Sequence, residues 1–274
     1  MLSPKRNGPT VIVNDLGDAG IILISPEDPK FDFEVSQIVP AQVARVALAL
    51  KPFVVIVANG SQRTIAAYSI VWRMTKKNGR KSTIILPFKY PDTLAGGADS
   101  GAVSFNNQEN GPVPSEGKRL VSTEIQIDSS WEDQFYLDQL RSFARNLEQE
   151  YAEVDQIEIT LDAAIFSDGS LLGPNQSNLD QEFMTYFESK QNLFRQIASD
   201  LDSGKSVDEA FAPLTILAAN HVSARDRPGF YKMLAAQEIN ALRRRLSDTQ
   251  LRGTVRSAIR EEPFVIRRNT QLIG

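Results

Sequence analysis

The chain has 274 residues, 42% of them hydrophobic and 23% charged, the balance of a folded protein and not of a disordered one. It contains no cysteine, which excludes disulfides, thiolate zinc sites, iron–sulfur clusters and cysteine nucleophiles. A net charge of −4 conceals two blocks: residues 121–210 carry 19 acidic against 5 basic side chains, and residues 211–274 carry 5 against 11.

Residues 1–29 are rich in Pro, Gly, Asp and Asn and predict an irregular arm with one short strand at 21–24. The apolar patches 11–13 and 21–24 are split by Asn14, Asp15, Gly17 and Asp18, so they do not form the continuous apolar core of a signal peptide. No apolar run approaches the ~18 residues that a membrane helix needs, and no membrane span is expected. The chain is expected to stay in the cytoplasm as written, or to be exported if an upstream leader was removed.

Phe31, Phe33, Val35 and Gln37 alternate with Asp32, Glu34 and Ser36, a period-two pattern that predicts a first strand. Residues 42–50, with Val43, Ala44, Val46 and Leu48, fit either a strand or a helical turn. The stretch 53–74 is central. Its unbroken apolar run 53–58 suits a buried strand, and Asn59-Gly60-Ser61-Gln62 supplies a turn. A second strand then places Tyr68, Ile70, Trp72 and Met74 on one face and Ser69, Val71, Arg73 and Thr75 on the other. Asn78-Gly79 predicts a hairpin into a third strand of the same meander at 82–88. Residues 89–118 are dominated by Gly, Pro, Asn and Ser and read as a flap or a functional loop.

Strand pattern resumes over 119–127. Ser130, as an N-cap, opens a helix over 131–150 in which Leu140, Phe143, Leu147 and Tyr151 recur at helical spacing. Ile157, Ile159 and Leu161 alternate again, and Asp168-Gly169 turns the chain toward Leu171 and Leu172. From Asn178 the period becomes 3.6. Leu179, Phe183, Phe187, Phe194, Ile197 and Leu201 form one stripe, followed by helical patterns over 206–219, 228–246 and 247–259. Pro213 is expected to kink or divide the first of these. Strands first and helices after indicate an α+β chain.

The chemical motifs fare poorly. Gly204-Lys205-Ser206 resembles the end of a phosphate-binding loop, but Ser199 stands where a glycine is needed and the preceding segment is helical. A glycine helix stop followed by a serine N-cap explains it better. Asp99-Ser100-Gly101 needs a base, and the one histidine, His221, follows it in a helical region. His221 is read as a packed or surface residue. Glu158 and Asp162 share a strand face about 13 Å apart, too far for a glycosidase pair, and are expected to be solvated. Ala164 and Phe166 exclude an EF-hand at Asp168-Gly169. The glycosylation triplets at Asn59 and Asn175 read as turns.

The stretches VANGSQRTIAAYSIVWR (57–73) and LDAAIFSDGSLLGPN (161–175), the latter followed by an amphipathic helix, together resemble uncharacterised bacterial proteins with an immunoglobulin-like sandwich and a helical tail. The resemblance spans residues 50–200 and implies export for many members. It supplies no catalytic residues. This chain departs from it in lacking a clear export signal and in the helix at 131–150.

The expected fold is α+β: an immunoglobulin-like antiparallel β-sandwich over 30–176, with a helical insertion near 131–150, followed by a helical segment over 177–274. No catalytic, metal-binding or cofactor-binding residue is assigned, and no cofactor is expected. A non-enzymatic interaction or structural module is preferred to a hydrolase or carbohydrate-active protein with a site near the 89–118 loop. Arg252, Arg256 and Arg260 share one helical face and form the candidate interaction face. They are expected to meet the acidic block, in this chain or a neighbour, in preference to nucleic acid. A protein partner or self-association is therefore expected; the small-molecule ligand is not specified.

Overall fold

The computed structural model describes residues 9–89, 112–123, 126–127, 133–220, 222–223, 226–259 and 264–268. The elements in chain order are β1 (Thr10–Asn14), a short 3-10 turn, β2 (Ile21–Ile24), α1 (Phe31–Ile38), α2 (Ala41–Ala49), β3 (Val54–Asn59), β4 (Ile65–Lys76) and β5 (Lys81–Lys89). They continue with β6 (Lys118–Ser122), β7 (Gln126–Ile127), α3 (Gln134–Glu150), β8 (Val154–Phe166) and β9 (Ser170–Leu172). The chain then runs through α4 (Leu179–Asp202), α5 (Val207–Ala219), α6 (Arg227–Arg243) and α7 (Asp248–Ala258), and reaches β10 (Arg267–Arg268). The fold is mixed α+β. Its contacts divide it into two units.

The first unit comprises Met1–Lys89, Asn107–Leu179 and Ile266–Gly274. It holds two sheets. The smaller is antiparallel, in the order β2-β3-β6-β7. The larger runs β10-β9-β8-β4-β5, with β1 added on β8. The larger sheet is mixed, where an antiparallel one was expected, because β1 pairs parallel with β8 and β10 parallel with β9. The 13-residue length of β8 allows this: β1 takes up positions 156–160 and β9 takes up 164–165.

Three further expectations change. The 31–38 segment is helix α1, not a strand. Phe31 and Val35 are buried and Phe33 is 65% exposed, so the buried positions follow i, i+4 and not i, i+2. Asp32 and Glu34 in its first turn favour the helix N-terminus. Second, β3 and β4 do not pair. They belong to different sheets, and β4 lies between β5 and β8. The turn between them is held by Asn59, 1% exposed, whose amide donates to the carbonyls of Arg63 at 2.7 Å, Val113 at 3.0 Å and Pro114 at 2.9 Å. Third, the arm supplies β1 in addition to the expected strand at 21–24, which is β2.

The 42–50 pattern is helix α2. Helix α3 is capped by Asp133, which accepts from the Phe135 amide at 2.9 Å; Ser130 lies outside the described residues. The core of this unit includes Trp72, Tyr68, Phe31 and Phe166, all fully buried, with Tyr68 stacked on Phe88 at 4.7 Å.

The second unit comprises Tyr90–Asn106 and Asp180–Val265. Phe194, Ile197 and Leu201 of α4 share a core with Phe211 and Leu214 of α5, Ala235 and Ile239 of α6, and Leu251 and Val255 of α7. Phe183 and Phe187 meet Phe264 at 6.0 and 5.6 Å. The phenylalanine stripe thus finds partners within its own unit. Pro213 sits inside α5 without dividing it.

Candidate functional site: the outer face of the larger sheet

Alternation in β4 assigns the two faces of the larger sheet. Tyr68, Ile70, Trp72 and Met74 are buried on one. The other face is an array set by strand register, with columns β5, β4, β8 and β1. Its first row reads Lys81, Thr75, Gln156, Thr10. The second reads Thr83, Arg73, Glu158, Ile12, and the third Ile85, Val71, Thr160, Asn14. All but Val71 are exposed or half-exposed, and the two isoleucines at the margins, Ile12 and Ile85, are 42% and 49% exposed.

A polar network occupies the centre. Arg73 Nη1 lies 3.5 Å from both Glu158 Oε1 and Thr160 Oγ1. The Asn14 amide donates to the same two groups at 3.0 and 3.3 Å. Arg73 Nη2 also reaches Gln176 Oε1 at 3.2 Å. These contacts orient the arginine and glutamate while leaving their side chains 39% and 33% exposed.

Below the third row the face is closed by the chain's own turn. Ser69 pairs with Ala163 and Ile70 with Leu161, so Asp162 is the extra residue of a β-bulge. Asp162 is 1% exposed, which corrects the expectation of a solvated carboxylate. Its oxygens accept from the amides of Gln176 at 3.0 Å and Ser177 at 2.9 Å, and Ser69 Oγ lies 3.3 Å away. The Asp162 carbonyl accepts from the Asn175 amide at 3.1 Å. Gly173 is required here: its φ is 92°, and a Cβ would come within 2.3 Å of that carbonyl. Asp162 is therefore a buried fastening for residues 173–177. At the β8–β9 turn, burial pushes the Asp168 carboxyl up, but the Ser170 hydrogen bonds and the Arg63 guanidinium outweigh this and leave it below its ordinary value.

The sequence drew attention elsewhere. Of the candidate interaction face, Arg252 is half-buried and Arg256 is exposed, donating to Asp202 at 2.8 Å; Arg260 lies outside the described residues. Arg243 pairs with Asp208 at 2.7 Å and with Asp248 at 3.3 Å, and Arg227 pairs with Glu182 at 3.0 Å. Basic residues of the last helices thus meet acids of the same unit. Gly204 ends α4 with φ 92°, and Ser206 caps α5 in a reciprocal box with Glu209, as the non-phosphate reading required. Asp99, Ser100 and His221 lie outside the described residues, as does most of the 89–118 loop. Among the described residues no group of three or more His, Cys, Asp or Glu could hold a metal ion, and no helix is long and apolar enough to cross a membrane.

Sequence reasoning missed the array because its outer columns come from distant strands. The alternation Thr10-Val11-Ile12-Val13-Asn14 was there to be read, but nothing local pairs it with residues 156–160. Comparison with protein-family models, curated proteins and solved structures finds no match to this chain.

Proposed function

We propose that this protein is a non-enzymatic interaction module that makes contact through the outer face of its larger sheet. One observation carries the reading. Four strands present an accessible array with an oriented Arg73–Glu158 pair at its centre and exposed isoleucines at both margins. Exposed faces with a few anchoring apolar and charged side chains suit protein surfaces. Several buried polar side chains are engaged in the fold. Asn59 and Asp162 hold turns, Ser122 Oγ donates to the Phe53 carbonyl at 2.9 Å, and the Gln191 amide donates to the Ala258 carbonyl at 2.8 Å.

The partner class is protein in preference to nucleic acid. The twelve positions include no aromatic ring on which a base could stack. The whole-chain charge of −4 opposes phosphates. The two sheets are read as the layers of an immunoglobulin-like sandwich followed by a helical part. Burial of every β3 residue, and of the Trp72 face of β4, supports this, since two facing sheets need apolar inner faces.

The test sets this reading against a hydrolase or carbohydrate-active protein with a site near the 89–118 loop. Wild-type protein and an Ile12→Lys/Ile85→Lys variant are assayed for protein association and against a panel of ester, glycoside and phosphoester substrates. The expected result is no turnover by either, with association lost in a variant that melts like the parent. Turnover that survives both lysines and disappears when residues 89–118 are replaced would establish the enzyme instead.

A further inference from the structure

We infer that the partner of the outer face is a second copy of this chain, stacked face to face about a two-fold axis running along the strands between β4 and β8. The inference rests on reading that face as the contact surface. It follows from the symmetry of the array. Such an axis leaves each row in place and exchanges columns, so β4 of one copy lies over β8 of the other and β5 lies over β1. Arg73 and Glu158 are register partners on β4 and β8. Arg73 of each copy therefore meets Glu158 of the partner copy, and the two pairs form an alternating square of charge close to the axis.

The remaining positions agree. Lys81 faces Thr10 of the partner copy, so no like charges meet. Within one chain Ile12 and Ile85 lie three strand spacings and one row apart, about 16 Å. Across the axis, Ile85 of one copy falls over the Asn14 position of the other, one side-chain row, about 7 Å, from Ile12. Two apolar contacts form between margins that cannot reach each other in a single chain. A two-fold axis across the strands and through the second row would instead set Arg73 on Arg73 and Glu158 on Glu158, which like-charge repulsion disfavours. Stacked sheets are rotated by about 30°. That rotation displaces the margins more than the centre, so the charge square is the feature best preserved.

Affinity is limited by area. Three rows on four strands cover about 400 Å² per copy, half of the roughly 800 Å² that each partner contributes to a standard interface. The association is therefore weak, reversible and reduced by salt.

The test is sedimentation of the full chain at low salt, from about 10 µM to about 1 mM, where weak complexes become populated. Wild type is expected to dimerise with rising concentration. Arg73→Glu and Glu158→Arg, each alone, place like charges across the axis and should weaken dimerisation at least tenfold. An equimolar mixture of the two variants places opposite charges at both contacts and should associate at least as strongly as wild type. Ile12→Lys, on an exposed side chain, interrupts the same face if either charge variant is poorly folded, and should leave only monomer. A wild-type monomer throughout the range overturns self-pairing but leaves the face open to another protein. A dimer that all the variants retain overturns both, because contact then lies on another surface. A mixture no stronger than its components overturns the two-fold arrangement.

Discussion

Asp162 shows how much a single residue carries in this fold. As the unpaired residue of a bulge it aims its carboxylate at two backbone amides of the turn after β9. Asp162→Ala leaves both amides without their acceptor, and the expected loss is about 1–3 kcal/mol per unsatisfied buried group. Hydrogen exchange reads this directly: the Gln176 and Ser177 amides should lose protection while those of β3 keep theirs. Retained protection at 176 and 177 would show that the carboxylate is not what holds the turn. Trp72 gives a contrasting case. It is fully buried, and its Nε1 has no hydrogen-bond partner among the described residues. Its contribution is therefore packing. Trp72→Ala should cost about 3–5 kcal/mol in chemical denaturation, and Trp72→Phe much less, because the phenyl ring keeps part of the volume and no hydrogen bond is lost. Equal losses for the two would contradict a purely packing role.

At the scale of elements, two capping boxes offer an internal control. Ser206 with Glu209 opens α5, and Ser247 with Gln250 opens α7. Alanine at either serine should cost about 0.5–2 kcal/mol. Only the first box titrates. The Ser206 amide and then its hydroxyl hold the Glu209 carboxyl below its ordinary value of 4.5. A depressed carboxylate stabilises the fold above its unfolded pKa, and that contribution is lost as pH falls through the lower folded value. The gap in melting temperature between wild type and Glu209→Gln should thus be present at neutral pH and close below 4.5, while Gln250→Ala should give a gap with no such dependence.

Helix α1 tests a different point. Phe31→Ala should destabilise strongly and Phe33→Ala hardly at all, although a strand would place both on one face. The segment also shows the limit of local reading. Phe31 and Val35 fit a period of two and a period of 3.6 equally over so few residues, and the exposure of Phe33 decides between them. Where the pattern was long, as in α4, or carried its own turn residue, as at Gly79 between β4 and β5, the elements were legible. Pairing was not. The parallel addition of β1 to β8 joins residues separated by about 146 positions, and the central part of the candidate face depends on it.

For the whole molecule, the opposed charge blocks find a structural outlet in the second unit, where Arg227, Arg243 and Arg256 meet Glu182, Asp208 and Asp202. Exposed pairs of this kind contribute only about 0–1 kcal/mol each, so added salt should lower the melting temperature only slightly. They also occupy cations that a nucleic-acid reader would present to phosphates. Titration with duplex DNA and single-stranded RNA at about 50 mM salt, where phosphate contacts are strongest, should show no micromolar binding. Binding that disappears on Arg252→Ala/Arg256→Ala/Arg260→Ala would contradict this.

Contact is proposed to run through the outer face of the larger sheet. The most direct measurement is a concentration series of backbone amide NMR spectra of the wild-type chain. Resonances of Ile12, Arg73, Ile85 and Glu158 are predicted to shift together as concentration rises, while those around Arg252 and Arg256 stay fixed. Shifts confined to Arg252 and Arg256 would contradict contact through this face, and an unchanged spectrum across the series would contradict self-pairing through it.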